Sequence, residues 1–314
     1  MGTGIDIEIS EVGPRDGLQS LKQIMPTEAK KAWIRAQFEA GTPEIEVASF
    51  VSPRLLPQMA DAAEVTRYAT SIAGLTVAVL VPNLRGLEGA VASGAHKVSI
   101  PFSMSETHSI KNVKKNHAQM KAEVQRCLDF LSTQPADRRP KFEVGLATAF
   151  GCTLEGAVPE AFVIRMAAEL VTMGVDEVGL SDTTGYGNPA QLKRLAEGIW
   201  AACGRDKLNG VHLHNTRGQG LANALMAVEL GITTIDASLG GIGGCPFAPG
   251  ASGNIVTEDL VFLLESMGLN TGIDLQALFS VREQVQAALP GAELYGFTPS
   301  AGLPLTYPAN AAAG

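Results

Sequence analysis

Eight short β-rich runs recur along this chain, at 5–10, 44–50, 76–81, 97–102, 141–148, 177–181, 210–214 and 234–239. Segments of helical character separate them, among them 27–40, 106–131, 159–173, 189–202 and 220–230. Strand and helix that alternate throughout call for an α/β fold with a parallel sheet. Four of the handovers from helix to strand share one signature, EAGTPEIEV, ASGAHKVSI, TMGVDEVGL and ELGITTIDA, each with a glycine just after the helical run. A glycine there takes the left-handed conformation that stops a helix and turns the chain toward the next strand. The repeated joint implies a repeated βα unit, and eight such units close into a (β/α)8 TIM barrel with its reactive groups at the C-terminal strand ends. An open doubly wound sheet is the alternative, but the first βα turn, EVGPRDGLQS, is no GxGxxG phosphate loop and carries a proline where such a loop needs glycine.

The barrel is expected over residues 1–269, with 270–314 as a C-terminal extension packed on or near it. That extension reads as one helix, 274–288, followed by the Pro/Gly-rich tail GFTPSAGLPLTYPANAAAG, suited to cap a face or reach a neighbouring subunit.

A net charge of −8 argues against nucleic acid as a partner, since phosphate neutralisation needs a clustered basic surface. The basic cluster Lys111, Lys114, Lys115 and Lys121 reads as a solvated helix face, with attraction for a nucleotide phosphate as the functional alternative. Cys127, Cys152, Cys203 and Cys245 form no CxxC pair and are read as reduced thiols. The start of the chain has neither a secretory signal nor a transit-peptide pattern, and no apolar run approaches the roughly 20 residues that span a bilayer. No membrane partner and a cytoplasmic location are therefore expected, and a homodimer is possible.

Polar residues at barrel strand ends have little packing reason to be there, and these ends are rich in them. The first run leads into Glu11, Arg15 and Asp16, the second contains Glu46, the sixth ends at Asp182, and the seventh ends in His212 and His214. Residues at i and i+2 on a strand point the same way, so both imidazoles can face one metal. Asp16 is the natural carboxylate and Asn254 the natural amide to complete a mixed N/O site, which suits Mg²⁺ or Mn²⁺ and does not exclude Zn²⁺. Arg15 is the group that could steady an enolate oxygen. The Gly-rich stretch GGIGGCPFAPGASG, at 240–253, fits a mobile cover, and Cys245 inside it could exchange a proton. His96, His108 and His117 are read as surface or capping residues.

At these residues the sequence resembles the 3-hydroxy-3-methylglutaryl-CoA lyase family of metal-dependent lyase and synthase barrels. The matching stretches are EVGPRDGLQS, EVASFVSPRLLPQM, VPNLRGLEGAVASGA, LSDTTGYGNP, VHLHNTRGQGLANALMA and GIGGCPFAPGASGNIVTEDLV, with the pairs Ser105–Glu106 and Lys111–Asn112. The resemblance implies metal ligation by Asp16, His212, His214 and Asn254, and catalytic roles for Arg15, Asp16, His212 and Cys245. Glu11, Gln19, Glu46 and Asp182 would shape the site, and Lys22 would meet coenzyme A. The implied reaction is a retro-Claisen cleavage of an acyl-CoA thioester to acetyl-CoA and a keto acid, with Asp16, His212 or a water they order as the base. The sequence departs from the family after His214, where Asn215, Thr216 and Arg217 stand in place of Asp-Thr-Tyr, and at Thr184 and Tyr186. A different 3-hydroxyacyl-CoA, citramalyl-like or longer and branched, is therefore an alternative substrate, and an acyl-CoA/2-oxo acid synthase an alternative reaction. A non-catalytic scaffold is disfavoured by the intact set of polar residues.

Overall fold

The structure is a computed structural model that describes residues 4–243 and 253–307. Eight parallel strands close in chain order, and the last pairs with the first. They are β1 (Glu8–Glu11), β2 (Glu44–Ser49), β3 (Thr76–Leu80), β4 (Lys97–Ser103), β5 (Lys141–Ala147), β6 (Glu177–Ser181), β7 (Gly210–His212) and β8 (Thr234–Ala237). Each overlaps one of the runs read from sequence, and the differences at the ends have local causes. β1 starts late because Asp6 donates its N–H to Asn270 O at 2.8 Å and is committed to the C-terminal segment. β7 stops at His212 because His214 bridges to Asn254.

Helices α1 (Thr27–Glu39), α2 (Ala62–Thr70), α3 (Leu84–Ala92), α4 (Glu106–Val113), α5 (His117–Ser132), α6 (Glu160–Met173), α7 (Pro189–Cys203), α8 (Gly220–Leu230) and α9 (Thr257–Ser266) surround the strands. All four joint glycines have the expected positive φ, 102° at Gly41, 83° at Gly94, 109° at Gly174 and 86° at Gly231. The single helix expected over 106–131 is two. Lys114 caps α4 in a left-handed conformation, φ 59°, and Asn116 starts α5 with a reciprocal capping box to Gln119. The polar Lys-Lys-Asn stretch supplies a stop and a new start where apolar periodicity shows no gap.

The outward faces of the strands carry the apolar core. Ile9, Ile45, Val77, Val98, Val144, Leu180 and Ile235 are sealed beneath the helices, each contributing about 1.5–3 kcal/mol by burial. The inward faces are different in kind. Where such barrels usually stack branched aliphatic side chains, strand alternation and register turn Glu8, Glu44, Glu46, Lys97, Glu143, Glu177 and Asp236 into the lumen. Lys97 Nζ sits among Glu143 at 2.9 Å, Glu44 at 3.5 Å and Glu177 at 3.6 Å. Lys141 pairs with Glu177 at 2.7 Å near the N-terminal mouth, which opens into a cavity of about 180 Å³.

After α9 come α10 (Leu275–Ala288) and α11 (Phe297–Ala301). Asp274 caps α10 through the N–H groups of Gln276 and Ala277, and the helix buries Leu275, Leu278, Val281 and Val285 as it packs on α1 and α9. Among the described residues no helix is long and apolar enough to cross a membrane.

Candidate functional site

The chain after β1 turns through a tight helical loop, Gly13–Gly17, in which Val12 O gathers the N–H groups of Arg15, Asp16 and Gly17. Gly13 is obligatory in this loop, since a Cβ there would lie 2.5 Å from Glu11 Oε1 and 2.8 Å from Trp33. The loop aims Arg15 and Asp16 over the C-terminal mouth. Arg15 is clamped from both sides, with Nε and Nη2 each 2.5 Å from Glu46 Oε2 and Nη1 2.6 Å from Asp16 Oδ1. Asp16 also accepts from Gln19 Nε2 at 2.7 Å and from Asn254 Nδ2 at 2.8 Å.

His212, the last residue of β7, and His214 two positions on bring their Nε2 atoms to 3.1 Å from each other. One ligand atom of each of Asp16, His212 and His214 falls within 4.8 Å of the others. His212 Nδ1 meets Asp236 Oδ2 at 3.0 Å. Among the described residues, His214 Nδ1 and Asn254 Oδ1 are buried without a hydrogen-bond partner.

Electrostatics follow from this crowding. Burial alone would raise Asp16, but Arg15, the two imidazoles and the Asn254 amide outweigh it and hold the carboxyl well below its ordinary range. Burial lowers His214 to about 4, helped by its imidazole neighbour. In His212 the same desolvation is overcome by Asp236 and Asp16, so its value rises. Two imidazole nitrogens 3.1 Å apart need a shared proton or cation between them. With an anionic Asp16 beside them and an unpaired amide oxygen at Asn254, the donor set fits a divalent cation bound by two nitrogens and two oxygens.

The supporting residues read from sequence sit around this cluster. Glu11 is fully buried and pushed up to about 8 by desolvation, although it accepts from Gly13 N, Leu239 N and Thr257 Oγ1, each at 2.8 Å. Asp182, raised by burial to about 6, organises the loop after β6 by accepting from Tyr186 N at 2.9 Å and Gly187 N at 3.0 Å. Thr184 donates to Gly151 O at 3.0 Å. Arg217 lies 4.5 Å over the Tyr186 ring and donates to Thr184 O at 3.1 Å and Gly185 O at 3.2 Å, so these departures from the family pattern meet one another. Lys22 is exposed on the loop between Gly17 and α1. Cys245 lies outside the described residues.

The reading of His108 and His117 as surface or capping residues is refined: His117 is half-buried, and His108 is 4% exposed with Nδ1 2.7 Å from Ser103 Oγ. His117 is stacked between Phe102 and Phe162, with Nε2 2.9 Å from Ser103 O. Of the basic cluster, Lys115 and Lys121 are spent on Glu123 at 3.1 Å and Glu169 at 3.0 Å, in keeping with a solvated face. Asp236 lies in no motif, and the sequence marks it only by its inward place in the alternation Thr234, Asp236, Ser238.

The HMGL-like family model matches residues 6–285. The hydroxymethylglutaryl-CoA lyase of Bacillus subtilis is 39% identical over 298 residues, 94% of this chain and 98% of that one. The mitochondrial hydroxymethylglutaryl-CoA lyase of Gallus gallus is 40% identical over 272 residues, 87% of this chain and 90% of its own. Among solved structures, an HMG-CoA lyase from Acinetobacter baumannii in complex with coenzyme A and 3-methylmalate superposes with a TM-score of 0.89 at 37% identity, covering 98% of both chains.

Proposed function

The chain belongs to the HMGL-like family, and from that premise we propose that it is a divalent-metal-dependent carbon–carbon lyase that cleaves 3-hydroxy-3-methylglutaryl-CoA to acetyl-CoA and a keto acid. The observation that carries the metal site is the convergence of His212 and His214 Nε2 at 3.1 Å beside Asp16 and the unpartnered Asn254 Oδ1. These residues would hold the metal, and the mixed N/O set favours Mg²⁺ or Mn²⁺, with Zn²⁺ also compatible. When bound there, the cation supplies a positive charge that lowers the pKa of a coordinated hydroxyl.

The chain's own groups do the rest. A guanidinium has five N–H donors, and Arg15 commits Nε and one N–H of each terminal nitrogen to Glu46 and Asp16. Two donors remain to polarise the thioester carbonyl, where negative charge grows as the bond between C2 and C3 breaks. Glu46 and Asp16 fix that guanidinium in advance. Asp16, His212 or a water that they order is proposed to take the hydroxyl proton. Cys245 is proposed to return a proton to the departing enolate.

The pairing of half-buried Tyr186 with exposed Arg217 supports a second reading, in which the site admits a different 3-hydroxyacyl group. The described cysteines Cys127, Cys152 and Cys203 are free thiols, which supports a reducing location such as the cytoplasm.

The test is acetyl-CoA release from a panel of CoA thioesters by enzyme stripped with a chelator and reloaded with Mg²⁺ or Mn²⁺. Hydroxymethylglutaryl-CoA should be cleaved only after reloading. Asp16→Asn should lose more than about a hundredfold, beyond the 10–100-fold typical of removing an outer partner of a metal ligand. Metal-independent turnover would overturn the reading. Equal turnover of hydroxymethylglutaryl-CoA by wild type and Arg217→Tyr, with no better substrate in the panel, would dispose of the altered acyl group.

A further inference from the structure

The two histidines of the cluster are held in unlike ways. His214 is fixed by the backbone, through its bridge to Asn254, and its Nδ1 has no partner among the described residues. His212 is fixed through its side chain. Asp236 stands directly opposite it in the β7–β8 register, and the carboxylate Oδ2 meets Nδ1 at 3.0 Å. A carboxylate can only accept, so the imidazole donates from Nδ1 and turns a bare Nε2 lone pair toward His214 and Asp16.

Asp236 has no packing reason to be there. Its neighbours Ile235 and Ala237 face outward and are fully buried, while its own side chain is turned into the lumen beside Ser10 on one strand and His212 on the other. A carboxylate in a partly desolvated barrel interior is costly unless something needs its lone pairs.

We propose that Asp236 is a positioning residue for the metal site: its hydrogen bond to His212 Nδ1 selects the tautomer and ring orientation that make Nε2 a ligand. The inference rests on the metal-site reading above. It makes the two histidines unequal, since Asp236 sets the basicity and aim of His212 whereas His214 relies on the strand-eight segment. It also extends the site one layer down the barrel, from the rim loops to the inner face of β8.

The experiment measures Mn²⁺ binding to chelator-treated protein by calorimetry, without substrate, for wild type, Asp236→Asn, Asp236→Glu and His214→Ala. Asp236→Asn is nearly isosteric, yet its amide can donate to Nδ1 and force the wrong tautomer. It should weaken Mn²⁺ binding about 10–100-fold with an unchanged melting temperature. Asp236→Glu, which keeps a carboxylate on the lumen wall, should recover most of that loss. Nitrogen-detected NMR of the metal-free wild type should show His212 carrying its proton on Nδ1. This last readout decides the matter even where a variant fails to fold: an Nε2–H tautomer in the wild type overturns the proposal. Wild-type affinity in Asp236→Asn, with binding lost in His214→Ala, overturns it while leaving the metal site standing. Undiminished binding in His214→Ala overturns the metal site and the proposal together.

Discussion

Glu11 touches none of the metal-ligand candidates and still governs where two of them sit. Its carboxyl ties Gly13 of the loop carrying Asp16 to Leu239 and Thr257, which flank the segment carrying Asn254. Each donor left unsatisfied in such an interior costs about 1–3 kcal/mol. Glu11→Ala is therefore expected to lower unfolding stability by about 3 kcal/mol or more in urea titration, and to weaken Mn²⁺ binding as the two loops lose their common anchor. A loss below about 1 kcal/mol would mean that water replaces the carboxyl. At this scale the ligand candidates were legible because His212 and His214 obey the two-residue period of a strand and Asp16 and Asn254 stand in the stretches EVGPRDGLQS and GIGGCPFAPGASGNIVTEDLV that carry the resemblance. Asp236 and His108 were not. Each is a single polar residue whose meaning comes from a neighbour on another element, Asp236 through cross-strand register and His108 through the end of β4.

Strands β2, β4, β5 and β6 share one ionic cluster, and its charges do not balance: Lys97 stands among Glu44, Glu143 and Glu177. Burial, reinforced by Glu177 and Asp236 against the attraction of Lys97, raises Glu143 from 4.5 to about 7. Its folded-state value is the higher one, so the stability it contributes is full below about pH 4.5 and is lost as pH rises through about 7. Glu143→Gln resembles the protonated form at every pH. It should melt above wild type at pH 8, by about 1 kcal/mol or roughly 2–4 °C, and the two should converge near pH 5. A Gln variant that melts lower at pH 8 would show that the ion pair with Lys97 outweighs the crowding. The joint glycines were legible because one residue type is needed at one conformation. The break between α4 and α5 was not, because helical periodicity runs on through Lys114 and Asn116 while local hydrogen bonding decides against it.

Across the whole molecule, α10 and the residues that follow it grip α9. Arg282 on α10 pairs with fully buried Glu258 on α9 at 2.7 Å and donates to the carbonyls of Leu294 and Tyr295. Asp259 accepts from Phe297 N at 3.0 Å and Thr298 N at 2.7 Å. Removing one partner of a buried pair costs about 3–5 kcal/mol, so Arg282→Met should destabilise by that order in thermal or denaturant unfolding. The double variant with Glu258→Gln should recover part of it, and an additive double variant would refute the coupling. The count and order of strands were legible from the alternation of runs. This grip was not, since it joins α9, α10 and the stretch after it through the single polar residues Glu258, Asp259 and Arg282, which no sequence period marks. The polar lumen has a further consequence for how such a barrel can be inherited or recombined. A half-barrel exchanged with a relative carries away charges whose partners stay behind, so β2, β4, β5 and β6 travel as one module, and viable chimeras have their seams elsewhere.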